Sequence, residues 1–431
     1  MDRRPIPGFH VVAKPIGPIC NLDCSYCFYL EKDQLYPGVD NFRMSPDVLE
    51  AFIKQKIQGH STSPVHFTWQ GGEPTLLGVD YFQNVVHLQQ KYAAGKNIEN
   101  GFQTNGILID DAWCHLFKEN NFLIGLSLDG PQAIHDTYRL NKGQTGSFAQ
   151  VLQALELLKK HEVEYNTITV VSAANQDYPD EIYNFLKSIG SAYWQFIPIV
   201  ERVMQEDGSL ADPDEMGNIP MGEWSVEPLA YGKFLERIFQ RWIREDVGEV
   251  FIQHFESALA NQMGLSPAVC VWNATCGRAL AIEHNGDVYS CDHYVFPKYR
   301  LGNIMELPLV EMVQDPVQIQ FGDAKRDRLP QICLDCKVLD LCHGECPKHR
   351  FIKSAGDTAE HNYLCAGYKH FFTTIRPDLG VLAELLDLGK PAENVKQWML
   401  EKDAGFPGID VTPHDPCPCG SGTKFEDCCT H

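Results

Sequence analysis

The chain has 431 residues, of which 44% are hydrophobic and 22% charged, a length and composition typical of a globular protein with two or three domains. Its 36 Lys and Arg residues and 57 Asp and Glu residues give a net charge of −21, which argues against broad binding to nucleic acid or to an anionic membrane. No run approaches the roughly 20 apolar residues of a membrane span. No apolar signal segment follows the first residues, so we expect a cytoplasmic protein.

The first half of the chain alternates predicted strands with predicted amphipathic helices. The strands are predicted over Phe9–Lys14, Val65–Gln70, Gly101–Thr104, Phe122–Leu128, Asn166–Ser172 and Tyr193–Ile199. The helices are predicted over Pro46–Gln58, Tyr81–Tyr92, Asp111–Asn120, Phe148–His161 and Tyr178–Ile189. Six such repeats predict an α/β fold with a parallel sheet, and the repeats alone leave open whether the sheet stays open or curls into a partial barrel.

Unusual residues directly follow the first four predicted strands. They are Cys20, Cys24 and Cys27 after the first strand, Gly71 to Pro74 after the second, Gln103 to Gly106 after the third, and Ser127 to Gly130 after the fourth. Because α/β folds place their chemistry at the carboxyl ends of parallel strands, we expect these four loops to converge on one face.

The second half is less regular. Residues 201–225 are rich in Gly, Pro, Asp and Met and are predicted to form a loop. Helices are predicted over Pro228–Arg244, Val250–Met263 and Leu379–Lys402. The stretch Ala279–Cys291 is predicted to be a hairpin with a two-residue turn at Asn285-Gly286. Residues 405–408 then lead into a cysteine-containing tail.

Sixteen cysteines are too few for a disulfide scaffold in a chain of this length, and in a reducing cytosol they would bind metal, react or be buried. The first group is Cys20, Cys24 and Cys27. Three thiolates can hold three irons of a four-iron cluster and leave the fourth iron open to a small chelating molecule. The alternatives are a zinc knuckle, although structural zinc normally uses four closed ligands, or plain core cysteines.

The second group contains eight cysteines, enough to saturate two 4Fe–4S clusters. They are Cys270, Cys276, Cys291, Cys333, Cys336, Cys342, Cys346 and Cys365. Two zinc sites are the alternative, but iron–sulfur clusters can transfer electrons and zinc cannot.

The third group, Cys417, Cys419, Cys428 and Cys429, predicts a closed tetrahedral zinc site in the tail. The remaining cysteine, Cys114, is predicted to be a buried core residue on a helix.

The segment from Lys14 to Tyr29, KPIGPICNLDCSYCFY, resembles the radical S-adenosylmethionine enzymes and, within them, the anaerobic sulfatase-maturating enzymes. The resemblance extends from Phe9 to about Arg376. It implies a radical SAM partial (β/α)6 barrel over residues 1–225, followed by a cysteine-rich SPASM domain over 270–376 that binds two auxiliary clusters. The implied remaining segments are a helical linker over 226–269, a C-terminal helix and linker over 377–410, and a zinc-binding SEC-C tail over 411–431 that serves for docking.

The resemblance also implies which residues bind the cofactors. Gly71, Gly72 and Glu73 would meet the amino group of S-adenosylmethionine, and Gln70 opens the same loop. Asn105, Ser127 and Asp129 would contact other polar parts of the cofactor. The cluster nearer the substrate would be held by Cys270, Cys276, Cys291 and Cys346, and the outer cluster by Cys333, Cys336, Cys342 and Cys365.

The implied reaction is oxidation of a Cys or Ser in a sulfatase polypeptide to Cα-formylglycine, through abstraction of a Cβ hydrogen by the 5′-deoxyadenosyl radical. Asp292 would be the catalytic base, and an external donor such as flavodoxin or ferredoxin would supply electrons. Tyr26, His135, Asp136 and Arg139 are weaker candidates, because an ordinary packing residue or a solvated helix face explains them equally well. Two alternatives stay open: a SPASM enzyme that cross-links a ribosomal peptide, and a zinc-rich interaction protein without catalysis.

Overall fold

A ten-stranded sheet organises the computed structural model, which describes residues 6, 8–205, 208–215, 217–354, 356, 359–404 and 424. Its strands are β1 (His10–Lys14), β2 (Val65–Trp69), β3 (Ile98–Thr104), β4 (Phe122–Ser127), β5 (Tyr165–Val171), β6 (Tyr193–Pro198), β7 (Phe251–Ile252), β8 (Ala279–Glu283), β9 (Asp287–Tyr289) and β10 (Arg300–Asn303). Their order is β10-β9-β8-β1-β2-β3-β4-β5-β6-β7. A separate antiparallel pair joins β11 (Arg350–Ile352) to β12 (His361–Asn362).

Strands β1 to β7 pair in parallel and in chain order, so the carboxyl ends of the first six strands share one edge of the sheet. All six predicted strands are confirmed. The third begins earlier than predicted, at Ile98, because Ile98 to Gly101 pair with β2. The buried side chain of Asn100 in this stretch has hydrogen-bond partners, because its oxygen accepts from Trp69 Nε1 and Gln89 Nε2, both at 2.8 Å.

Side-chain caps mark the start of some of the helices. Ser45 Oγ accepts a hydrogen bond from the Val48 amide at 3.3 Å, and Asp110 Oδ1 accepts one from the Trp113 amide at 3.0 Å. The helices are α1 (Pro46–Gly59), α2 (Val79–Tyr92), α3 (Asp111–Glu119), α4 (Gln132–Tyr138), α5 (Phe148–Lys160), α6 (Pro179–Ser188), α7 (Pro228–Glu245), α8 (Gln253–Gln262), α9 (Leu309–Val313), α10 (Pro316–Asp327), α11 (Gln331–Leu334), α12 (Leu339–Cys342), α13 (Cys365–Asp387) and α14 (Val395–Asp403).

Two helix predictions are corrected. The prediction of one helix over Leu379–Lys402 is wrong, because α13 begins at Cys365 and ends at Asp387. Gly389, with φ +70°, and Pro391 separate it from the next helix. Residues 250–263 contain a short strand before α8 begins at Gln253. The loop prediction for residues 201–225 is confirmed, since the described part of that stretch forms isolated bridges without a helix or strand.

The cysteine-rich half is joined to the first half through the sheet. Strand β8 pairs in parallel with β1, with His10 opposite Ala279 and Lys14 opposite Glu283. Strands β8 and β9 form the predicted antiparallel hairpin, although its connection has three residues, His284 to Gly286, instead of the predicted two. Because β9 runs back along β8, Cys291 lies toward the start of β8, where Gln318 Nε2 donates to both Gly277 O and Ser290 O.

The core lies in two large clusters. One packs β1 to β4 against α1, α2, α3 and α5 around Phe82 and Phe102, and it buries Cys114 as predicted. The other packs β5 to β7 against α6, α7, α8, α13 and α14 around Trp242 and Phe371. Among the described residues, no helix combines the length and apolarity needed to cross a membrane.

Helices α7 and α13 approach so closely that only glycine fits at their contact. A Cβ atom on Gly367 would lie 1.9 Å from the Pro228 carbonyl oxygen, and one on Gly232 would lie 2.3 Å from the Gly367 carbonyl oxygen. Because α13 starts at Cys365, this contact fixes that thiol relative to the helices that follow β6.

Candidate active site

The first cysteine group forms a loop after β1 in which the three thiols influence one another. Burial, together with the charge of neighbouring thiols, raises the pKa of Cys20 to about 11 and that of Cys24 to about 12. A coordinated thiol is deprotonated outright. Three half-buried cysteines on one loop therefore fit iron coordination, in which thiolate is the usual ligand of iron–sulfur clusters. Among the described residues, no three His, Cys, Asp or Glu side chains are close enough to hold a single metal ion.

Asn105, which follows β3, holds this loop directly. Its Nδ2 donates to Asn21 Oδ1 at 2.7 Å and lies 3.7 Å from Cys20 Sγ. Its Oδ1 accepts from the Ile107 amide at 3.1 Å. The Asn105 side chain is thus a link between the third strand and the first cysteine.

Glu73 is a buried hydrogen-bond centre after β2. Its Oε1 accepts from the Thr75 amide at 3.0 Å, the Thr75 hydroxyl at 2.6 Å and the Thr104 hydroxyl at 2.8 Å. Its Oε2 accepts from the Asn105 amide at 2.8 Å. Burial raises the pKa of this carboxyl, and the four donors oppose that shift. The carboxylate therefore ties the loop after β2 to the loop after β3.

The two glycines before Glu73 lie against the segment that precedes Cys20. A Cβ atom on Gly72 would lie 2.0 Å from the Ile19 carbonyl oxygen, and Gly71 has φ +136°. The Gly72 amide donates to Gly17 O at 2.7 Å, and the Glu73 amide donates to Ile19 O at 2.8 Å. Glycine is required here because one backbone runs directly against another.

Asp129, which follows β4, is buried and fully engaged by protein donors. Arg139 binds it in a bidentate manner, with Nε 2.8 Å from Oδ2 and Nη2 3.0 Å from Oδ1. The Tyr26 hydroxyl donates to Oδ2 at 2.8 Å, and the Val170 amide donates to Oδ1 at 2.9 Å. Burial opposes ionisation, but Arg139 outweighs it and lowers the pKa of Asp129. Asp129 therefore anchors Tyr26, which lies between Cys24 and Cys27 in the sequence.

The weaker candidates on α4 are structural in this arrangement. His135 and Arg139 are buried, so a solvated helix face is the wrong explanation for both. His135 Nδ1 lies 3.3 Å from the Asp129 amide nitrogen, and its Nε2 lies 3.0 Å from the Ser147 hydroxyl. Asp136 Oδ1 accepts from the Phe148 amide at 2.9 Å, which fixes the start of α5.

Ser127 and Gln70 occupy the strand ends on either side of these centres. The Ser127 hydroxyl accepts a hydrogen bond from Gln103 Nε2 at 3.0 Å. The Gln70 amide donates to Ala13 O at 2.9 Å, which places Gln70 beside the end of β1. The four loops predicted to converge do so, since Glu73, Asn105 and Asp129 all bond to groups from other loops.

Asp292 lies three residues after β9 and contacts a side chain of β1. Its Oδ1 lies 2.6 Å from Lys14 Nζ, at the last residue of β1. Lys14 Nζ also lies 3.9 Å from the centre of the Tyr29 ring, and the Tyr29 hydroxyl donates to Glu283. Burial opposes ionisation of Asp292, but Lys14, followed by His293 and Lys348, outweighs it and lowers the pKa.

The eight later cysteines fall into two neighbourhoods. Burial raises the pKa of Cys346, and its thiol neighbours in the same environment are Cys291, Cys276 and Cys270. Burial likewise raises the pKa of Cys342, whose thiol neighbours are Cys365 and Cys333. Cys336 is the thiol neighbour of Cys365. Cys346 thus lies near Cys291, although in the sequence it stands among the cysteines of the other neighbourhood. In agreement with this, His293 Nδ1 lies 3.5 Å from Cys346 Sγ.

A cavity of about 210 Å³ opens beside His293. The loop at residues 209–213 covers one side, and Phe28 and Phe296 supply aromatic walls. Lys348 pairs with Glu201 in its lining. Burial and the charge of Lys348 lower the pKa of Lys32, another lining residue, to about 8. The cavity is therefore a mixed apolar and charged pocket whose lining includes His293, the residue that follows Asp292 in the sequence.

Sequence reasoning missed Lys14, Tyr29 and Glu283. A charged residue at the end of a buried apolar strand is itself a signal, because Lys is almost never fully buried without a partner. The tail cysteines Cys417, Cys419, Cys428 and Cys429 lie outside the described residues.

Three family models match parts of the chain. The radical SAM superfamily matches residues 15–186, the SPASM iron–sulfur cluster-binding domain matches residues 270–337, and the SEC-C motif matches residues 415–429. The serine-type anaerobic sulfatase-maturating enzyme of Bacteroides thetaiotaomicron is 46% identical, over 90% of this chain and 94% of its own. The chain belongs to the anaerobic sulfatase-maturating enzymes.

Two further relatives support this assignment. The cysteine-type anaerobic sulfatase-maturating enzyme of Clostridium perfringens is 33% identical, over 87% of this chain and 98% of its own. The solved structure of native anSMEcpe with bound AdoMet and Cp18Cys peptide has a TM-score of 0.77 and 32% identity, over 88% of this chain and 99% of that one. The predicted family, the radical SAM fold with its SPASM domain and the assignment as a radical SAM enzyme are confirmed.

Proposed function

We propose that this anaerobic sulfatase-maturating enzyme oxidises a Cys or Ser in the active-site peptide of a sulfatase to Cα-formylglycine. The observation that carries the proposal is the 2.6 Å contact between Asp292 Oδ1 and Lys14 Nζ. It joins the carboxylate that follows the β8–β9 hairpin to the side chain of the last residue of β1, the strand that leads into the Cys20, Cys24 and Cys27 loop. The same combination of cluster loop and base is what hydrogen abstraction followed by deprotonation requires.

The thiol groups define the proposed cofactors. Cys20, Cys24 and Cys27 would hold a 4Fe–4S cluster that binds S-adenosylmethionine, and Gln70, Gly71, Gly72, Glu73, Asn105, Ser127 and Asp129 would line or support the cofactor pocket. When bound, this pair supplies the one-electron chemistry that removes a hydrogen atom from the substrate Cβ.

Two auxiliary 4Fe–4S clusters would use the two later thiol neighbourhoods. Cys270, Cys276, Cys291 and Cys346 would form the inner set, and Cys333, Cys336, Cys342 and Cys365 the outer set. The four tail cysteines would bind zinc, because four closed thiolates suit that ion. An external one-electron donor such as flavodoxin or ferredoxin would supply the reducing equivalents.

Asp292 is the proposed catalytic base. A carboxylate can accept the thiol or hydroxyl proton of the target residue if it lies within hydrogen-bond reach. The cavity beside His293 would take the peptide residues that flank the target. We propose that residues 1–225 bind S-adenosylmethionine, while residues 270–376 supply the base and the auxiliary clusters. The segments 226–269 and 377–410 connect them, and residues 411–431 dock another protein.

The test uses anoxically reconstituted, reduced enzyme with S-adenosylmethionine and two synthetic sulfatase peptides, one with Cys and one with Ser at the target position. Mass spectrometry is expected to detect an aldehyde at that position in at least one peptide. 5′-Deoxyadenosine with an unchanged peptide would overturn the proposed substrate and favour cross-linking of another peptide.

The base is tested with a matched pair of hairpin variants. Asp292→Asn is expected to retain all clusters and lose most turnover, by a factor of about 10² or more. Asp287→Asn, on the same hairpin but paired with Arg300 at 2.7 Å, is expected to keep turnover. Equal turnover in the two variants would remove the role of Asp292.

A further inference from the structure

Lys14 carries a buried positive charge at the site. It is only 1% exposed, and it lies at the carboxyl end of β1, six residues before Cys20 in the sequence. Burying an ammonium group is costly unless it is paired. The contacts that Lys14 makes are the Asp292 carboxylate at 2.6 Å and the Tyr29 ring at 3.9 Å. Its position is therefore explained by Asp292 and Tyr29, not by solvent.

Asp292 depends on this contact in turn. Its Oδ1 is buried, and no described group makes a well-directed hydrogen bond to it. The ion pair with Lys14 is then the interaction that holds this oxygen in place. Without Lys14, the carboxylate would rotate toward whatever donor or water it could reach.

The surrounding contacts hold Lys14 itself in register. Its backbone pairs with Glu283 on β8, and the Tyr29 ring beneath its ammonium is tied to the same Glu283 through the phenol. A Cβ atom on Gly17 would come within 3.0 Å of His284 Nδ1, so the segment that leads to Cys20 also rests on the hairpin. The strand before the first cysteine group and the hairpin that carries Asp292 are thus locked together around Lys14.

We propose that Lys14 is a positioning residue that aims the Asp292 carboxylate at the substrate. This inference rests on the proposed role of Asp292 as the base. Lys14 would not take part in hydrogen abstraction, which uses the cofactor face of the site. Its loss should therefore separate cofactor cleavage from peptide oxidation.

The test compares Lys14→Met with Lys56→Met in the reconstituted holoenzyme. Lys56 is a matched control, because it is equally buried on α1 but faces Val11 O at 3.4 Å and lies outside the proposed catalytic and binding residues. In Lys14→Met, 5′-deoxyadenosine formation should stay within about twofold of wild type. Formylglycine formation should fall by about 10- to 100-fold through kcat, as expected for a misplaced base, with the peptide KM little changed. Lys56→Met should show no such uncoupling.

Three further measurements test the role of Lys14. Lys14→Arg, which retains the charge, should form more formylglycine per 5′-deoxyadenosine than Lys14→Met does. Lys14→Met should add little to the loss caused by Asp292→Asn, because both act through one group. Hydrogen exchange across residues 291–296 should accelerate in Lys14→Met and not in Lys56→Met.

The positioning role would be overturned if Lys14→Met lost 5′-deoxyadenosine and formylglycine formation in equal proportion, or if it lost iron. It would also be overturned if the variant formed as much formylglycine per 5′-deoxyadenosine as the wild type. If wild type produces no aldehyde on any peptide, the proposed function fails. The hydrogen-exchange comparison would then still show whether Lys14 orders the Asp292 segment.

Discussion

Replacing Arg139 with Leu should test how the buried Asp129 carboxylate supports the loop that contains Cys20, Cys24 and Cys27. The substitution removes both charge-assisted hydrogen bonds of the bidentate pair and leaves the Tyr26 hydroxyl and the Val170 amide as donors to Asp129. The carboxylate would then be buried without a counter-charge.

The cost follows from that geometry. Breaking a buried ion pair by removing one partner destabilises a protein by about 3–5 kcal/mol. With an unfolding entropy of about 2.1 cal/mol/K per residue over roughly 400 residues, this corresponds to a fall in melting temperature of about 4–6 °C. The pKa of Asp129 is below its unfolded value, so the pair stabilises the fold above that value and loses its effect as pH falls through the folded pKa.

The assay is thermal unfolding of the reconstituted protein under anoxic conditions at pH 7 and at lower pH. Arg237→Leu is the control, because Arg237 Nε also binds a carboxylate, that of Asp180, but the two side chains are 54% and 43% exposed. An exposed pair contributes about 0–1 kcal/mol, so the control should shift the melting temperature by about 1 °C or less. Equal shifts in the two variants, or a deficit for Arg139→Leu that does not shrink on acidification, would refute the reasoning.

Three other outcomes are expected. Glu73→Gln should lower the melting temperature by about 2–4 °C. The side-chain NH2 group of the glutamine would face the backbone N–H of Asn105, so a charge-assisted hydrogen bond worth about 1.5–3 kcal/mol is lost. An unchanged melting curve would contradict this. Gly72→Ala should reduce iron retained after reconstitution, measured by metal analysis, because its Cβ would collide with Ile19 O; full iron content would show that the loop yields freely. Lys56→Met should raise the melting temperature at pH 7.

The sign of the Lys56 effect follows from linkage. Burial lowers its pKa from 10.5 to about 7, so between those values the unfolded chain holds a proton that the folded chain has released. Wild-type stability therefore rises with pH across this window, and the advantage of Lys56→Met should shrink from pH 7 toward pH 10. A constant advantage across the window would contradict the assigned cause.

The sheet could be predicted from sequence because its strands are short apolar runs bounded by breakers. The parallel order followed from the helices between them, and with it the convergence of Glu73, Asn105 and Asp129. The end of α13 at Asp387 was not predicted, because apolar residues recur at helical spacing on both sides of it. Gly389 and Pro391 were the sequence signals for a helix end at this position.

The partners within the site could not be predicted in the same way. The contact between Lys14 and Asp292 depends on β8 pairing with β1, and nothing local to either residue encodes that pairing. Asp129 was identified by its place after a strand, but its partners Arg139 and Tyr26 come from other loops. Sequence position located the polar residues, and only tertiary structure assigned what each one holds.

The most direct test of the account concerns the Cys20, Cys24 and Cys27 loop. Electron paramagnetic resonance of the reduced holoenzyme should change when S-adenosylmethionine is added, and iron analysis should give about twelve irons per chain. A variant with all three cysteines changed to Ala should keep about eight irons and show no spectral response. A response that persists in that variant, or none in the fully loaded wild type, would contradict the assignment of this loop as the site that binds S-adenosylmethionine.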